Sequence, residues 1–241
     1  MNGDLAGRRI VVTGGTTGIG RATVEALFRR GAEVVFTARD PAAGDRVVEE
    51  IAGTGGGERL VHRQVALDDL ASIRGFAAGL AAEFDRVDVL VNNAGVVMTE
   101  RRTTVDGFEF TMGVNHLGHF LLVQEVLPLL ESAPSARIVI VASDAHRFCR
   151  GLDLDDLQSE RGRFGAVRGM RVYAASKLAN VLHTRELARR LPADRITVNC
   201  LHPGAVRTRL GRDGERSRLG EVVWPLAARF CLTPEEGART S

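Results

Sequence analysis

Tyr173 and Lys177 are the single tyrosine and the single lysine of this 241-residue chain, and they lie four residues apart. Residues i and i+4 share one face of a helix, so the ammonium of Lys177 is expected to lie near the phenol of Tyr173. Because a nearby cation favours the ionised form of a phenol, this spacing predicts a lowered pKa for Tyr173 and a pair that exchanges protons with a substrate. The alternative is a solvated tyrosine and lysine on a helix surface.

A glycine-rich turn at residues 13–20, with the sequence TGGTTGIG, separates a β-branched run from a helical pattern. Glycines allow a backbone to approach a pyrophosphate, and a helix N-terminus supplies N–H donors and partial positive charge. The turn predicts a nucleotide-phosphate site, with contacts expected at Gly14, Thr16, Thr17, Gly18, Ile19 and Gly20. The alternative is a tight turn that binds no ligand.

Short β-branched runs alternate with helical patterns along the chain. Strands are predicted at residues 8–14, 32–38, 59–65, 87–92, 136–143 and 195–201, and clear helical patterns at 19–30, 70–84, 111–130 and 172–191. This alternation predicts a single α/β domain over residues 1–241, with one doubly wound, mostly parallel sheet of about six strands. Ligands of such sheets bind at the carboxyl ends of the strands, beside which the irregular segment 144–171 is predicted to form a covering loop.

Composition and charge exclude several kinds of partner. The net charge is +2, from 32 basic and 30 acidic residues spread along the chain, so no basic face points to nucleic acid or anionic lipid. No apolar run approaches the roughly 20 residues that span a bilayer and the start lacks a signal sequence, so we expect a soluble, cytoplasmic protein with a small-molecule ligand. Cys149, Cys200 and Cys231 match no disulfide or metal pattern. His116 and His119 lack further ligands at partner spacing, so no metal site is predicted.

Four motifs resemble those of the short-chain dehydrogenase/reductase family, and the resemblance covers essentially the whole chain. They are the TGxxxGxG turn, NNAG at residues 92–95, YxxxK at residues 173–177 and PGxxxT at residues 203–208. Within the family, the chain most resembles the retinol dehydrogenase and WW-domain oxidoreductase branch. That likeness lies in residues 106–109, residues 114–122 and the long gap between Ser143 and Tyr173.

The resemblance implies a catalytic set formed by Asn115, Ser143, Tyr173 and Lys177. Ser143 would bond the substrate oxygen, and Asn115 would hold a water that links Lys177 to solvent. Cofactor contacts are implied at Leu67, Asn93, Ala94, Gly95, Tyr173, Lys177, Pro203, Gly204, Val206 and Thr208. Without the resemblance, Ser143 could cap a turn, Asn115 could kink or cap a helix, and residues 203–204 could form an ordinary Pro-Gly turn.

The chain departs from the family pattern at two places. Ala66 stands where the family usually has an Asp near the adenine ring, so the backbone of Leu67 is expected to serve there instead. Residues 233–241 resemble the start of a helix that the family follows with a final strand. We therefore expect a shortened carboxyl terminus and no complete seven-stranded sheet.

The second predicted strand delivers Ala38, Arg39 and Asp40 to the adenosine ribose of a dinucleotide. An acidic residue at the position of Ala38 would accept bonds from both ribose hydroxyls of NAD and repel a 2′-phosphate. Ala38 removes that repulsion, and Arg39 can bind the phosphate, so the sequence predicts NADP(H) as cofactor. The alternatives are a solvent-facing Arg39 and an Asp40 that faces the ribose.

Taken together, these features predict an NADP(H)-dependent oxidoreductase that reduces an aldehyde or ketone, or oxidises the matching alcohol, on an apolar small molecule. The alternatives are a reductase of an activated carbon–carbon double bond, as in the similar protochlorophyllide reductases, and a regulator that binds NADPH without turnover. Specificity is expected to reside in residues 144–171 and 205–232, where Trp224 either lines the pocket or packs in the core. The sequence leaves open whether the chain forms a homo-oligomer.

Overall fold

The computed structural model describes residues 3–53, 58–204 and 233–238. Six strands are present in this part of the chain: β1 Arg9–Val12, β2 Glu33–Ala38, β3 Leu60–Gln64, β4 Val89–Asn92, β5 Ala136–Val141 and β6 Ile196–Leu201. All neighbouring pairs are parallel, in the order β3-β2-β1-β4-β5-β6. The predicted doubly wound sheet of six strands is therefore confirmed.

Helices follow the strands in alternation. They are α1 Gly18–Arg29, α2 Pro41–Ala52, α3 Leu70–Glu83, α4 Phe110–Met112, a π-helical turn Gly113–Leu117, α5 Gly118–Glu131, α6 Ala166–Arg190 and α7 Pro234–Ala238. Asp40 and Asp69 begin α2 and α3 as side-chain caps, since each carboxylate accepts a backbone N–H of the first turn. In the described ranges, no helix is long and apolar enough to cross a membrane.

Two apolar layers cover the sheet, because alternate residues of each strand point to opposite faces. Val11, Leu90 and Ile138 pack with buried residues of α3 and α5 on one face. Ile10 and Phe36 pack with buried residues of α1 and α2 on the other. Burial on both faces explains why the inner strands β1, β2, β4 and β5 consist mainly of apolar, β-branched residues.

The segment between β5 and α6 is more ordered than the loop predicted over residues 144–171. Its first residues form a 3₁₀ turn, Asp144–Phe148, and its last six residues belong to α6, so the irregular part is 149–165. Gly169, in the first turn of α6, packs closely on the segment after β4: an added Cβ there would lie 2.0 Å from the carbonyl oxygen of Met98. This close backbone contact depends on tertiary packing and leaves no mark on the apolar pattern.

The order of the strands reverses between β1 and β4, which are neighbours in the sheet. The chain leaves β1 toward one layer of helices and leaves β4 toward the other, which opens a crevice beyond their carboxyl ends. The glycine turn follows β1 and the NNAG residues follow β4, so the topology brings these two distant motifs together.

Candidate active site

A cleft of about 640 Å³ occupies this crevice and has the size of a small-molecule site. Its walls include most of the predicted site residues: Gly14, Thr16, Thr17, Gly18, Ile19, Gly20, Arg39, Leu67, Asn93, Ala94, Gly95, Ser143, Tyr173, Lys177, Pro203 and Gly204. Asn115 lies beneath the wall. Val206, Thr208 and Trp224 fall outside the described residues.

The glycine turn leaves no room for side chains on its inner surface. Gly14 has a φ of +70°, in the left-handed region that favours glycine. At Gly20, an added Cβ would lie 2.2 Å from the carbonyl oxygen of Gly14. Gly20 therefore allows the turn to pack tightly, and the residues of this turn line the cleft, as a pyrophosphate cradle requires.

The NNAG residues are tied to the end of β1 by three hydrogen bonds. Asn93 Nδ2 donates to the carbonyl oxygen of Thr13 at 2.8 Å. The backbone N–H groups of Asn93 and Ala94 both donate to Thr13 Oγ1, at 2.9 and 3.0 Å. Thr13 therefore fixes the position of the second cofactor motif relative to the first.

Arg39 and Asp40 lie at the end of β2 and take different directions. The Arg39 side chain is exposed, lines the cleft and has no ion pair or hydrogen bond of its own among the residues described. The carboxylate of Asp40 accepts the Ala42 N–H at 3.0 Å as the cap of α2, and it lies outside the cleft wall. Among the residues described, the Arg39 guanidinium therefore lines the cleft without an ion pair, whereas Asp40 does not line it.

Tyr173 and Lys177 are both buried on the inner face of α6, at 7% and 3% exposed. Lys177 Nζ donates to the carbonyl oxygen of Val141 at 2.9 Å, and burial lowers the pKa of Lys177 from 10.5 to about 8. The ammonium lies 5.7 Å from the centre of the Tyr173 ring. The alternative of a solvated tyrosine and lysine on a helix surface is therefore wrong.

The prediction of a lowered pKa for Tyr173 was wrong for the protein without cofactor. Burial raises the pKa of Tyr173 above 10, and a side-chain hydrogen bond with Ser143 only partly opposes this. The reason is desolvation, which penalises the phenolate more than its surroundings stabilise it. Tyr173 is consequently held in its protonated form at neutral pH.

Ser143 has two partners at the end of β5. Its Oγ accepts the N–H of Ala145 at 3.2 Å, which caps the 3₁₀ turn, and its hydroxyl lies near the Tyr173 side chain, where it partly offsets the effect of burial on the Tyr173 pKa. The capping role considered for Ser143 and its place in the cleft are therefore compatible. The side chains of Ser143 and Tyr173 are therefore neighbours on the cleft wall.

Asn115 lies in the π-helical turn and is fully buried. Its side chain bonds the backbone N–H and carbonyl of Val96, at 2.8 and 2.9 Å, and donates to Ser176 Oγ at 3.1 Å. Ser176 in turn donates to the carbonyl oxygen of Tyr173 at 2.7 Å. Asn115 thus links the segment after β4 to the turn of α6 that carries Tyr173, and its water-holding role stays a prediction.

Several residues of the cleft were missed by sequence reasoning: Thr37, Val65, Asp68, Val96, Val97, Met98, Arg102, Phe110, Val114, Val141, Ala142, Ala145 and Met170. Val65 and Asp68 flank the predicted contact Leu67, so the end of β3 could have indicated them. Met98 and Met170 come from segments with no periodic signal. Ala66, where the family usually has an acid, does not line the cleft.

Within the described part of the chain, no cluster of His, Cys, Asp or Glu is arranged to hold a metal ion.

A glycine cradle at the switch point of a parallel sheet, facing a buried Tyr-Lys pair, defines a nucleotide-dependent oxidoreductase. The family model described as short chain dehydrogenase matches residues 8–150 and 157–218, and the chain belongs to this family. The predicted family is therefore confirmed.

Known relatives agree with this assignment over nearly the whole chain. Human retinol dehydrogenase 12 is 44% identical over 240 residues, which covers 100% of this chain and 73% of its own length. Human retinol dehydrogenase 11 is 43% identical over 237 residues, with 98% and 72% covered. The structure of Pseudomonas aeruginosa RhlG in an NADP active-site complex has a TM-score of 0.75 at 29% identity, with 98% of this chain and 88% of that chain covered.

Proposed function

We propose that this protein is an NADP(H)-dependent oxidoreductase that interconverts an apolar carbonyl compound and the matching alcohol. One observation carries the proposal: Tyr173 and Ser143 are neighbours on the wall of the cleft that also contains the glycine cradle. A substrate oxygen placed at this point could bond both hydroxyls.

The residues of the cleft fit a dinucleotide with a 2′-phosphate. The cradle formed by Gly14 and Gly20 would hold the pyrophosphate, and the unpaired Arg39 would bind the 2′-phosphate with charge-assisted hydrogen bonds. When bound, the cofactor supplies or accepts the hydride. The NADP complex of the Pseudomonas aeruginosa relative supports this choice of cofactor.

Tyr173 is the proton donor of the proposed reduction. Its raised pKa keeps the phenol protonated at neutral pH, so the proton is available to the carbonyl oxygen as negative charge develops there. Ser143 donates a second hydrogen bond to the same oxygen. Proton transfer by a positioned side chain contributes roughly 100 to 10,000-fold to a rate.

Lys177 supplies fixed positive charge behind the phenol. With a pKa of about 8, the buried ammonium is still mostly protonated at pH 7, and Val141 uses only one of its three N–H donors. The remaining donors would hold ribose hydroxyls of the cofactor and stabilise the phenolate that forms after proton transfer.

Apolar side chains from the segment after β4 and from α6 contribute to the cleft wall. Val97, Met98 and Met170 line it, and flexible methionine side chains adapt to ligands of irregular shape. The human relatives are named for retinol. By analogy, we infer a substrate whose alcohol or aldehyde group is attached to an extended apolar body.

The test is a screen of NADPH oxidation against aldehydes, ketones, quinones and polyketide-like aromatics, followed by three variants. Tyr173→Phe removes only the transferable proton and should abolish turnover while NADPH binding stays within about threefold of the wild type. Ser143→Ala should lower kcat, whereas Ser132→Ala, at the exposed end of α5, should not.

Three outcomes would count against the proposal. A Tyr173→Phe enzyme with turnover within threefold of the wild type would contradict the proton-transfer role. Reduction confined to activated carbon–carbon double bonds would reassign the reaction. NADPH binding without turnover on any class of substrate would indicate a regulator.

A further inference from the structure

A buried chain of hydrogen bonds connects the end of β1 to the π-helical turn through His119. Thr13 and His119 are 0% and 2% exposed, and the Nε2 atom of the imidazole lies 2.9 Å from Thr13 Oγ1. The other ring nitrogen, Nδ1, lies 3.1 Å from the carbonyl oxygen of Asn115. None of these three residues lies on the cleft wall, so direct contact with a ligand does not explain them.

The hydroxyl of Thr13 fixes the direction of the first bond. Its oxygen has two lone pairs, and both are used, because Asn93 N–H and Ala94 N–H donate to it. The single hydroxyl hydrogen must therefore point to an acceptor. His119 Nε2 at 2.9 Å is closer than the carbonyl oxygen of Val91 at 3.5 Å, which already accepts the Thr13 N–H. Thr13 consequently donates to His119.

The tautomer of the His119 imidazole independently gives the same direction for the Thr13–His119 hydrogen bond. The carbonyl oxygen of Asn115 can only accept, so Nδ1 of His119 must carry the hydrogen. Full burial lowers the pKa of His119 to about 3, and the neutral ring then has a bare Nε2 that accepts from Thr13. Both ends select one tautomer, and every hydrogen-bonding group between them is satisfied.

The chain joins the two halves of the site. At one end, Thr13 holds the amides of Asn93 and Ala94, which lead into the cofactor wall. At the other end, Asn115 bonds Ser176 and, through it, the carbonyl oxygen of Tyr173. A shift of the imidazole would therefore act on the cofactor motif and on the turn of α6 that carries the proton donor.

We propose that His119 is a positioning residue of the reaction: as the neutral Nδ1–H tautomer, it accepts from Thr13 and donates to Asn115, and so aligns the NNAG amides with Tyr173. The hydrogen bonds stand on the geometry alone, whereas their kinetic consequence rests on the proposed function. Two kinds of measurement keep these parts separate.

The first measurement needs no substrate. In ¹⁵N-histidine spectra of the wild type, His119 should show a protonated Nδ1 and a bare Nε2, unchanged between pH 5 and 8. In His119→Phe, the amides of Asn93 and Ala94 should exchange with solvent at least about tenfold faster than in the wild type. His183→Phe is the matched control, since the buried Nε2 of His183 has no hydrogen-bond partner in the described structure.

The second measurement is a double-mutant cycle in kcat/KM. His119→Phe and Thr13→Val should each lower kcat/KM by roughly 10 to 100-fold, mainly through kcat. The kcat/KM of the double variant should be no more than about threefold below that of the less active single variant. Thr13→Ser keeps the hydroxyl and should restore most of the activity. A residue that serves stability alone would change the melting temperature and leave kcat of the folded enzyme unaltered.

The outcomes separate the two proposals. An Nε2–H tautomer, a titrating His119, or unchanged amide exchange in His119→Phe would overturn the positioning role even if the wild type is an active reductase. Multiplicative losses in the double variant would also overturn it. If no carbonyl is reduced but the tautomer and the amide exchange are as expected, the proposed function fails and the hydrogen-bonded alignment stands.

Discussion

Replacing Arg39 with alanine should remove most of the preference for NADPH over NADH. The guanidinium lines the cleft and has no ion pair within the part of the chain described, and Asp40 is engaged as the cap of α2. A charge-assisted hydrogen bond contributes about 1.5 to 3 kcal/mol, and each 1.4 kcal/mol corresponds to about tenfold. The wild type should therefore favour NADPH by roughly 10 to 100-fold in kcat/KM.

The assay compares kcat/KM for both cofactors with one carbonyl substrate at constant ionic strength. Arg46→Ala is the control, because it removes a cation of α2 that is 63% exposed and lies 3.9 Å from its nearest carboxylate. Salt screens such an exposed charge, so this variant should keep the NADPH to NADH ratio within about twofold. Equal use of both cofactors by the wild type, or an unchanged ratio in Arg39→Ala, would refute the reasoning.

Three further predictions concern Lys177 and the glycine turn. Lys177→Arg should lower kcat at least about 100-fold, as measured with saturating NADPH, because a planar guanidinium cannot replace the buried ammonium. Between pH 8 and 10.5 the folded chain releases the Lys177 proton and the unfolded chain keeps it, so the unfolding free energy of the wild type should rise relative to Lys177→Met by on the order of 3 kcal/mol. A flat difference in denaturant titrations across that window would contradict the burial of the charge. Gly20→Ala should abolish cofactor binding in a fluorescence titration, whereas Gly75→Ala, whose added Cβ meets nothing within 4 Å, should stabilise α3 by about 0.5 to 1 kcal/mol.

The parts of the site that sequence reasoning located are those that follow a strand end. Gly14 follows β1, Asn93 follows β4 and Ser143 follows β5, and parallel strands bring their carboxyl ends to one edge of the sheet. The spacing of Tyr173 and Lys177 similarly placed both on one face of α6. Local pattern and a simple rule of topology were sufficient for these residues.

Other features depend on tertiary context and could not be read from a local pattern. The π-helical turn around Asn115 lies between two α-helical stretches, where the apolar pattern predicted one unbroken helix over 111–130. The direction of the Tyr173 pKa shift depends on how much water the surrounding elements exclude, which spacing alone does not determine. The roles of Thr13 and His119 emerge only when both ends of their shared hydrogen bond are known.

The burial of Lys177 gives the molecule an internal chemical reporter. The other 31 of the 32 lysine and arginine residues are arginines, which do not react with amine-directed acylating reagents, and the one lysine is 3% exposed in the wall of the cleft. Acylation of Lys177 therefore requires a reagent to enter the cleft and the amine to leave its hydrogen bond with the carbonyl oxygen of Val141. The labelling rate, followed by mass spectrometry, reports access to this amine from the cleft, and a ligand that fills the cleft should slow labelling in proportion to its occupancy.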